Sequence, residues 1–313
     1  MNSALWYREF GPPEEVLTLE TRESDPREPR LIRVRMTLSP INPSDLIPIT
    51  GAYRHRVMPP RVAGYEGVGT VIEAPESSRE LLGRRVLPLR GEGTWQSFVD
   101  CDPAWVVPVP DDIDDSTAAR AYINPLAALL MLKAWNPAGK RVVVTAAGST
   151  CAGLLAQWAM ASDAREVVGI HRSPEHRLPL SQQGIIPVDA GDAPEVAARS
   201  KTADLIFDAV GGLQATAMLK AMRRDASFVS YGLLAGELYV IDAVGPRPAR
   251  FHIRDHLEGV SPETWRHWFR EIWPHLRQGR LPQAECFPLS KWREALALFR
   301  QPGRRTKPVL DLG

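Results

Sequence analysis

The amino-acid sequence predicts an α/β protein in which a mostly antiparallel β domain is joined to a doubly wound parallel sheet. Residues 1 to about 110 contain short β-type runs that are separated by proline and glycine. Between Ser116 and Gly232, predicted strands alternate with helical segments at the spacing of βαβ units, which form parallel sheets covered on both faces. The chain ends in a predicted strand, and a lone terminal strand needs a sheet to join. We therefore expect the antiparallel domain to contain both ends of the chain.

The strands and helices are predicted from the residue pattern of each segment. The first part contains the β-type runs "RLIRVRMTLSP", "GVGTVIEA", "RRVLPLR", "WQSFVD" and "WVVPVP". The elements predicted after it are, in order, a helical run from Ser116 to Ala134, a strand at 141–146, a helix at 151–161, the strand "EVVGIHR", a helical segment at 174–183, the short run "IIPVDA", the strand "ADLIFDAVGG", a helix at 213–223 and the strand "ASFVSYG".

After Gly232 the chain is predicted to be extended at "ELYVIDA" and "ARFHIRDHL". A helix then begins at Ser261, because serine is a good N-cap and is followed by Pro262 at the first helical position and Glu263 in the first turn. The closing "SKWREALALFRQPGRRTKPVLDLG" is predicted to form a helix, a turn and a strand.

Composition narrows the classes of function. The 313 residues include 38 lysines and arginines against 37 aspartates and glutamates, so no global field attracts nucleic acid or an anionic membrane. The most apolar run, "AYINPLAALLMLKAW", carries Asn124, Pro125 and Lys133 and is too short to cross a bilayer. Three widely separated cysteines argue against a disulfide framework and favour a reducing compartment, so we expect a cytoplasmic protein.

The stretch "RVVVTAAGSTCAGLLAQWAM" is typical of the strand, turn and helix that open a dinucleotide-binding domain. A strict G-x-G-x-x-G pattern would require glycine at Ala147, Ser149 and Ala152, and alanine is an accepted substitute only at the third of these positions. Gly148 can still give the turn local freedom, and Ser149 and Thr150 can donate hydrogen bonds to phosphate at the helix N-terminus. Taken alone, the stretch is equally compatible with a purely structural turn.

The second strand of this region strengthens the case for a cofactor. An NAD-preferring domain usually ends this strand with an acidic residue, whereas "GIHRSPEHR" has none before Glu175. Arg172 follows the strand, with His171 and Ser173 on either side. This arrangement suits a 2'-phosphate and favours NADPH over NADH, the alternative being an arginine that is merely solvated.

Five motifs occur in order along almost the whole chain: "INPSDLIPITGAYRHRVMPPRVAGYEGVGTV", "INPLAALLML", "FDAVGG", "SYGLLAGE" and "KPVLDLG". Together they resemble the zinc-free branch of the medium-chain dehydrogenase/reductase superfamily, and within it the 2-enoyl thioester reductases and related NADPH:quinone oxidoreductases. The resemblance implies a GroES-like β domain and a Rossmann domain. We expect the GroES-like domain to comprise residues 1–117 and 258–313, and the NADP-binding Rossmann domain to comprise residues 118–257.

The same resemblance implies that no metal is bound. Tyr65 in "AGYEGVGTV" occupies the position of the histidine in the G-H-E motif of zinc alcohol dehydrogenases, and the cysteine expected before "INPSD" is absent. No cluster of four closely spaced cysteines exists for a structural zinc. His252 and His256 are four residues apart, but the sequence offers no third ligand.

The resemblance also implies roles for individual residues. Tyr53 in "GAY" is the implied proton donor. Asn42 and Tyr65 are implied at the substrate site, where Arg54 and Arg56 could bind the phosphates of CoA or a phosphopantetheine carrier unless they only form a solvated loop. The residues implied to bind the cofactor are Asn124, Gly148, Ser149, Thr150, Cys151, His171, Arg172, Ser173, Tyr231, Gly232, Leu233, Leu234, Phe251, His252, Ile253 and Lys307.

A tyrosine suits the implied chemistry. Hydride from NADPH adds to the β-carbon of an α,β-unsaturated carbonyl, charge moves to the carbonyl oxygen, and the α-carbon then needs a proton. A phenol is protonated at neutral pH and can supply that proton. Without the surrounding motif, Tyr53 would be interpreted as an aromatic side chain that packs in a loop.

Several positions depart from the family pattern, namely Ala127, His171, His252 and Tyr65. Three hypotheses therefore stay open: an NADPH-dependent reductase of enoyl thioesters, a quinone or alkenal reductase in which Tyr53 matters little, and a catalytically silent protein that still binds the cofactor. The small-molecule substrate could be free or bound to CoA or a carrier protein. A homodimer is also expected, because "ELYVIDA" and "ARFHIRD" lie where sheets of this family join and edge strands need covering.

Overall fold

The computed structural model describes residues 1–91, 93–241 and 245–313, which form two compact units. Each unit is assembled from more than one segment of the chain. Unit 1 comprises Met1–Ile123, Ser261–Arg277 and Pro282–Gly313, and unit 2 comprises Asn124–Val260 and Gln278–Leu281.

The strands in the described ranges are, in chain order, β1 (Asn2–Tyr7), β2 (Leu17–Arg22), β3 (Ile32–Pro40), β4 (Arg61–Val62), β5 (Val68–Glu73), β6 (Arg85–Leu87), β7 (Phe98–Cys101), β8 (Val107–Pro108), β9 (Arg141–Val144), β10 (Glu166–His171), β11 (Ile186–Asp189), β12 (Leu205–Asp208), β13 (Ser227–Ser230), β14 (Ala249–Arg250), β15 (Gln283–Pro288) and β16 (Thr306–Asp311).

The α-helices in the same ranges are α1 (Pro13–Val16), α2 (Pro43–Leu46), α3 (Asp115–Ala118), α4 (Ile123–Ala134), α5 (Thr150–Ala161), α6 (Arg177–Ser181), α7 (Ala193–Thr202), α8 (Gly212–Ala221), α9 (Pro262–Gln278) and α10 (Trp292–Arg300). Within the described part of the chain, no helix is both long enough and apolar enough to span a membrane.

Unit 1 is built on two sheets. The larger sheet has the strand order β15-β16-β3-β5-β6-β8, and β7 also pairs with β3. Most of its pairs are antiparallel, as predicted, but β15 and β16 run parallel. The smaller sheet has the order β2-β1-β4. Alternate apolar side chains of β3, such as Ile32, Val34 and Met36, enter a core that also contains Trp95 and Trp292.

Unit 2 is built on one parallel sheet with the strand order β11-β10-β9-β12-β13-β14. Counted from β9, this is the order 3-2-1-4-5-6 of a doubly wound dinucleotide-binding sheet. The order reverses beside β9, and β9 leads into α5. The predicted α/β class with a doubly wound parallel sheet is therefore confirmed.

Most of the predicted elements are present, but the predicted helical run from Ser116 to Ala134 is divided into α3 and α4. The predicted strand–helix alternation between residues 141 and 232 is confirmed by β9 to β13 and their helices. Ser261 caps α9 as predicted, because its Oγ accepts a hydrogen bond of 3.2 Å from the backbone N–H of Thr264. The elements that the sequence pattern did not predict are β1, β2, β4, β15, α1, α2 and α7.

The stretch after Gly232 differs from the prediction. Residues 237–241 of the predicted extended run contain no strand, and Asp242 and Ala243 of that run lie outside the described residues. Of the second run, only β14 joins the sheet, where it pairs with β13. Residues 237–241 pair with α8 and not with a strand of the described chain: the backbone oxygen of Glu237 accepts from the N–H of Gly212, and the N–H of Val240 donates to the Thr216 hydroxyl.

Candidate functional site

The turn between β9 and α5 is shaped for close approach to a neighbour. A Cβ added to Gly148 would lie 2.4 Å from ring atoms of His176, so a larger residue at this position would require the histidine ring to move. Ser149 is the N-cap of α5, and its Oγ accepts from the N–H of Ala152. Ala152 is fully buried, which suits the helix-packing role expected for the third glycine position. Thr150, which follows Ser149, begins a helix of twelve residues whose first N–H groups have no acceptor within the helix.

A buried hydrogen-bond cluster joins the ends of β9 and β12. The Thr145 hydroxyl donates to Asp208 at 2.7 Å and accepts from the N–H of Ala209 at 2.9 Å. The Asp208 carboxylate also accepts from the N–H groups of Val210 and Gly211, and burial raises its pKa. The motif "FDAVGG" thus holds the turn that follows β12. Sequence analysis singled out this motif without assigning Asp208 a role, and Thr145 was missed because no pattern marks a single threonine.

The end of β10 presents residues of different exposure. His171 is the last residue of the strand and is 3% exposed, and its buried Nδ1 has no hydrogen-bond partner among the described residues. Arg172 is exposed, and Ser173 is partly buried. Only the arginine therefore presents a fully accessible cationic group at the position predicted for the 2'-phosphate.

Three of the predicted cofactor residues come together in unit 2. The Sγ of Cys151 lies 4.0 Å from the backbone oxygen of Asn124. Burial raises the pKa of Tyr231 well above 10, and the nearby Cys151 and Asp208 raise it further. The Tyr231 hydroxyl is buried without a hydrogen-bond partner in the described chain. These residues place polar atoms around the Asn124 end of α4.

Further predicted cofactor residues of unit 2 lie just after the ends of β13 and β14. Gly232 is partly buried, whereas Leu233 and Leu234 are exposed. The N–H of Phe251 donates to the backbone oxygen of Ser230 at 2.9 Å. His252 and Ile253, which follow Phe251 in the chain, are partly buried.

Tyr53 lies in unit 1, in a series of turns that follows α2. Its ring is partly buried and meets the ring of His55 edge to face, with centroids 6.3 Å apart. Arg54 and Arg56 are exposed on the same turns, and the Arg54 guanidinium donates to the backbone oxygen of Gly51. Gly51 has a φ of +83°, a conformation that glycine adopts without strain. Tyr53 and the two arginines therefore lie on one series of turns that backbone hydrogen bonds hold in place.

Lys307, another predicted cofactor contact, lies in a buried cluster of unit 1. It is 4% exposed, and its Nζ donates to Oδ1 of Asn42 at 2.6 Å. The Nδ2 of Asn42 donates to Oε1 of Glu66 at 2.7 Å, and Asp45 accepts from the Asn42 N–H at 2.7 Å. Tyr65, beside Glu66, is partly buried. Glu66 and Asp45 were not predicted as site residues, although they lie inside the motifs "AGYEGVGTV" and "INPSD".

The charges of this cluster perturb one another. Burial and the neighbouring Glu66 raise the pKa of Asp45 to about 7, and burial also raises the pKa of Glu66. Burial lowers the pKa of Lys307 to about 8, against the opposing effect of the two carboxylates. No group of three or more His, Cys, Asp or Glu side chains in the described ranges could hold a metal ion.

Comparisons with known proteins cover the whole chain. Residues 28–111 match the alcohol dehydrogenase GroES-like domain family. The mitochondrial enoyl-[acyl-carrier-protein] reductase of Arabidopsis thaliana is 30% identical over 348 residues, covering 99% of this chain and 88% of that protein. A crystal structure described as an NADPH:quinone reductase from Bacillus thuringiensis is 33% identical with a TM-score of 0.92, covering 99% of this chain and 98% of that one.

A third similarity concerns the fold alone. The structure of the Etr1p complex with NADP and crotonyl-CoA is 18% identical to this chain with a TM-score of 0.84, and the alignment covers 99% of both chains.

Proposed function

Because the chain belongs to the zinc-free branch of the medium-chain dehydrogenase/reductase superfamily, we propose that it is an NADPH-dependent reductase of α,β-unsaturated carbonyl compounds. The family resemblance inferred from the sequence motifs is confirmed by relatives that align over 99% of the chain. We favour 2-enoyl thioesters as substrates. The observation that carries this choice is the similarity to an enoyl-[acyl-carrier-protein] reductase along both units, together with a tyrosine on an ordered turn.

The residues of unit 2 fit an NADPH molecule. The N-terminus of α5, with Ser149 as its N-cap, suits a pyrophosphate, and the exposed Arg172 suits a 2'-phosphate. The unpartnered hydroxyl of Tyr231 offers a donor and an acceptor close to Asn124 and Cys151. When bound, NADPH supplies the hydride that reduces the β-carbon of the substrate.

The chain itself contributes the proton and the orientation. We propose that the Tyr53 phenol protonates the α-carbon after hydride addition, and that Tyr65 lies in the substrate-binding region. The Asn42 side chain is fully buried, and its amide is bonded to Lys307 and Glu66. The remaining cofactor contacts that we propose from the family resemblance are Ser149, Thr150, His171, Ser173, Gly232, Leu233, Leu234, Phe251, His252 and Ile253.

A quinone or alkenal reductase is the second candidate. The similarity to a structure described as an NADPH:quinone reductase, at 33% identity, favours it. A quinone accepts hydride without needing a proton donor from the protein, so Tyr53 would have little effect on its turnover. The first test is NADPH oxidation by the wild-type protein with a medium-chain trans-2-enoyl-CoA and, separately, with a quinone. Enoyl turnover supports the proposal, turnover of quinone alone favours the second candidate, and cofactor binding without turnover of either favours a silent protein.

We expect Arg54 and Arg56 to contribute to binding of a CoA-linked substrate. Replacing both with alanine should raise the KM for trans-2-enoyl-CoA roughly 3- to 10-fold, because two exposed cation–phosphate contacts are lost. The KM for a carrier-free enone should not change. Arg30→Ala, another exposed arginine of unit 1, is the matched control. An equal rise for both substrates would show that the two arginines do not bind the phosphates.

We also propose a homodimer formed through unit 2. Leu238, Val240 and Ile241 are 78%, 65% and 62% exposed, which is unusual for three large apolar side chains within four residues. Gel filtration of the wild type should give about twice the monomer mass of 34.7 kDa. The Leu238→Glu/Ile241→Glu variant should elute as a monomer, whereas Leu178→Glu, at another exposed leucine of unit 2, should remain a dimer. A monomeric wild type at micromolar concentration would refute this proposal.

The cytoplasm remains our predicted location. Cys101, Cys151 and Cys286 are all unpaired thiols in the structure, which suits a reducing compartment. The Arabidopsis relative is named as mitochondrial.

A further inference from the structure

We propose that Lys307, Asn42 and Glu66 form a positioning network for Tyr53, and that Lys307 acts through Asn42 instead of contacting the cofactor. This inference rests on the proposed function, since it assigns the network to the proton-donating segment. It replaces the role that the family resemblance implied for Lys307.

The contacts of Asn42 carry the inference. Its amide oxygen accepts from the Lys307 ammonium and its amide nitrogen donates to the Glu66 carboxylate, at 2.6 and 2.7 Å. Rotating the amide by half a turn would place its nitrogen against the ammonium and its oxygen against the carboxylate. The two charges therefore allow only one orientation of the Asn42 side chain. All three residues are at most 4% exposed, so water cannot replace these hydrogen bonds.

The sheet register explains how residues 265 positions apart meet. Strand β16 pairs with β3 antiparallel, with Val309 opposite Pro40. The N–H of Ile41 donates to the backbone oxygen of Pro308 at 3.2 Å, so the ladder continues one step beyond β3. Extending the same register places Lys307 opposite Asn42. The sheet register therefore places Lys307 beside Asn42, the N-cap of α2.

Backbone hydrogen bonds connect the fixed position of Asn42 to Tyr53 along the chain. The N–H of Asn42 donates to the Asp45 carboxylate at 2.7 Å, which secures the start of α2. Successive backbone hydrogen bonds then hold the segment that ends at Val57. They run from Ile49 N to Leu46 O (3.1 Å), Gly51 N to Pro48 O (3.1 Å), Arg54 N to Gly51 O (3.1 Å) and Val57 N to Tyr53 O (2.9 Å).

At its Glu66 end, the network is hydrogen-bonded to the backbone where the chain leaves unit 1. The Oε2 of Glu66 accepts from the N–H groups of Tyr122 and Ile123 at 3.2 and 2.8 Å. Ile123 is the last residue of its segment in unit 1 and directly precedes Asn124. One buried network therefore holds both the segment that carries Tyr53 and the segment that leads to Asn124.

The charges explain why the lysine is needed. Asp45 and Glu66 are two carboxylates buried in the same cluster, and each favours the charged form of Lys307. If the ammonium is removed, the carboxylates lose the cation that balances them and Asn42 loses the donor to its oxygen. Both losses favour movement of Asn42 and of the α2 segment.

The test compares two reactions of the same protein. In Lys307→Met we expect the kcat for trans-2-enoyl-CoA to fall about 10-fold, since a misplacement of about 1 Å at a reacting group can cost roughly 100-fold. The Kd for NADPH and the kcat for a quinone should each stay within about twofold. Lys307→Gln, which keeps a donor for Asn42, should recover part of the enoyl activity. Lys291→Met, at an exposed lysine of unit 1, is the matched control.

Asn42→Ala provides the second variant, because it keeps all three charges and removes only the amide that links them. It should reproduce the loss of enoyl turnover even if Lys307→Met does not fold. A rise in the Kd for NADPH in Lys307→Met, with parallel loss of both reactions, would instead show that Lys307 contacts the cofactor and would overturn the inference.

A double-mutant cycle separates this inference from the proposed function. If Lys307 acts through Tyr53, Lys307→Met should cost less than about twofold in kcat in a Tyr53→Phe background. A full 10-fold loss in that background, with Tyr53→Phe itself strongly impaired, would refute the positioning role and leave the proposed function intact. An unimpaired Tyr53→Phe, or a wild type without enoyl turnover, would refute the proposed proton donor and the inference with it.

Discussion

Tyr53→Phe is expected to lower the kcat for a trans-2-enoyl-CoA about 100- to 10,000-fold, the range that a positioned general acid typically contributes. The substitution removes only the hydroxyl, and the ring can still make its edge-to-face contact with His55. The turn should therefore keep its shape. The measurement is the initial rate of NADPH oxidation at saturating cofactor, together with the Kd for NADPH from fluorescence titration.

Two comparisons make this result specific. Tyr239→Phe alters a tyrosine of unit 2 that packs against Phe228, and it should keep full enoyl activity. Quinone reduction by Tyr53→Phe should also be unchanged, because that reaction needs no proton from the enzyme. If enoyl turnover survives in Tyr53→Phe, the tyrosine is a structural residue and the proton has another source.

Arg172→Ala is expected to weaken NADPH binding about 10- to 100-fold, since a charge-assisted hydrogen bond contributes about 1.5–3 kcal/mol. NADPH and NADH differ only in the 2'-phosphate, so the Kd for NADH should change less than twofold. The physical reason is that Arg172 is the exposed cation directly after β10, while His171 is buried. Both Kd values can be measured by fluorescence titration at one ionic strength.

Arg177→Ala is the matched control, because Arg177 is another exposed arginine, in α6 only five residues farther along the chain. It should leave both Kd values unchanged. Equal weakening of NADPH and NADH by Arg172→Ala would mean that the arginine supports the fold of this edge and does not recognise the 2'-phosphate.

Local periodicity was sufficient to predict β9 to β13 of the parallel sheet in unit 2. Continuous apolar runs such as "RVVV" and "LIFD" become β9 and β12, and the segments between the strands become helices. The helix α7 was missed although Asp192 accepts a hydrogen bond from the N–H of Glu195 at its start. Its polar sequence "APEVAARSKT" buries only Val196 and Ser200, so the apolar period that marks a helix is weak.

The outer strands of unit 1 were harder to predict for a different reason. In β2 only Leu17 is fully buried, and its remaining side chains are exposed or partly buried. Such a strand is specified by its pairing with β1, in which Asn2 lies opposite Arg22. Pairing depends on where the rest of the chain places the partner strand, and a local pattern does not contain that information.

The sequence by itself was sufficient to predict the α/β class and the superfamily, and it places the candidate phosphate turn and Arg172 directly after β9 and β10. Each motif behind these predictions is made of residues that are near one another in the chain. Only the tertiary structure decided that Lys307 is buried against Asn42, 265 positions away, and that Asp45 and Glu66 share its environment. The reason is that sheet register brings β16 beside β3, and the burial of a charge is known only when both strands are in place.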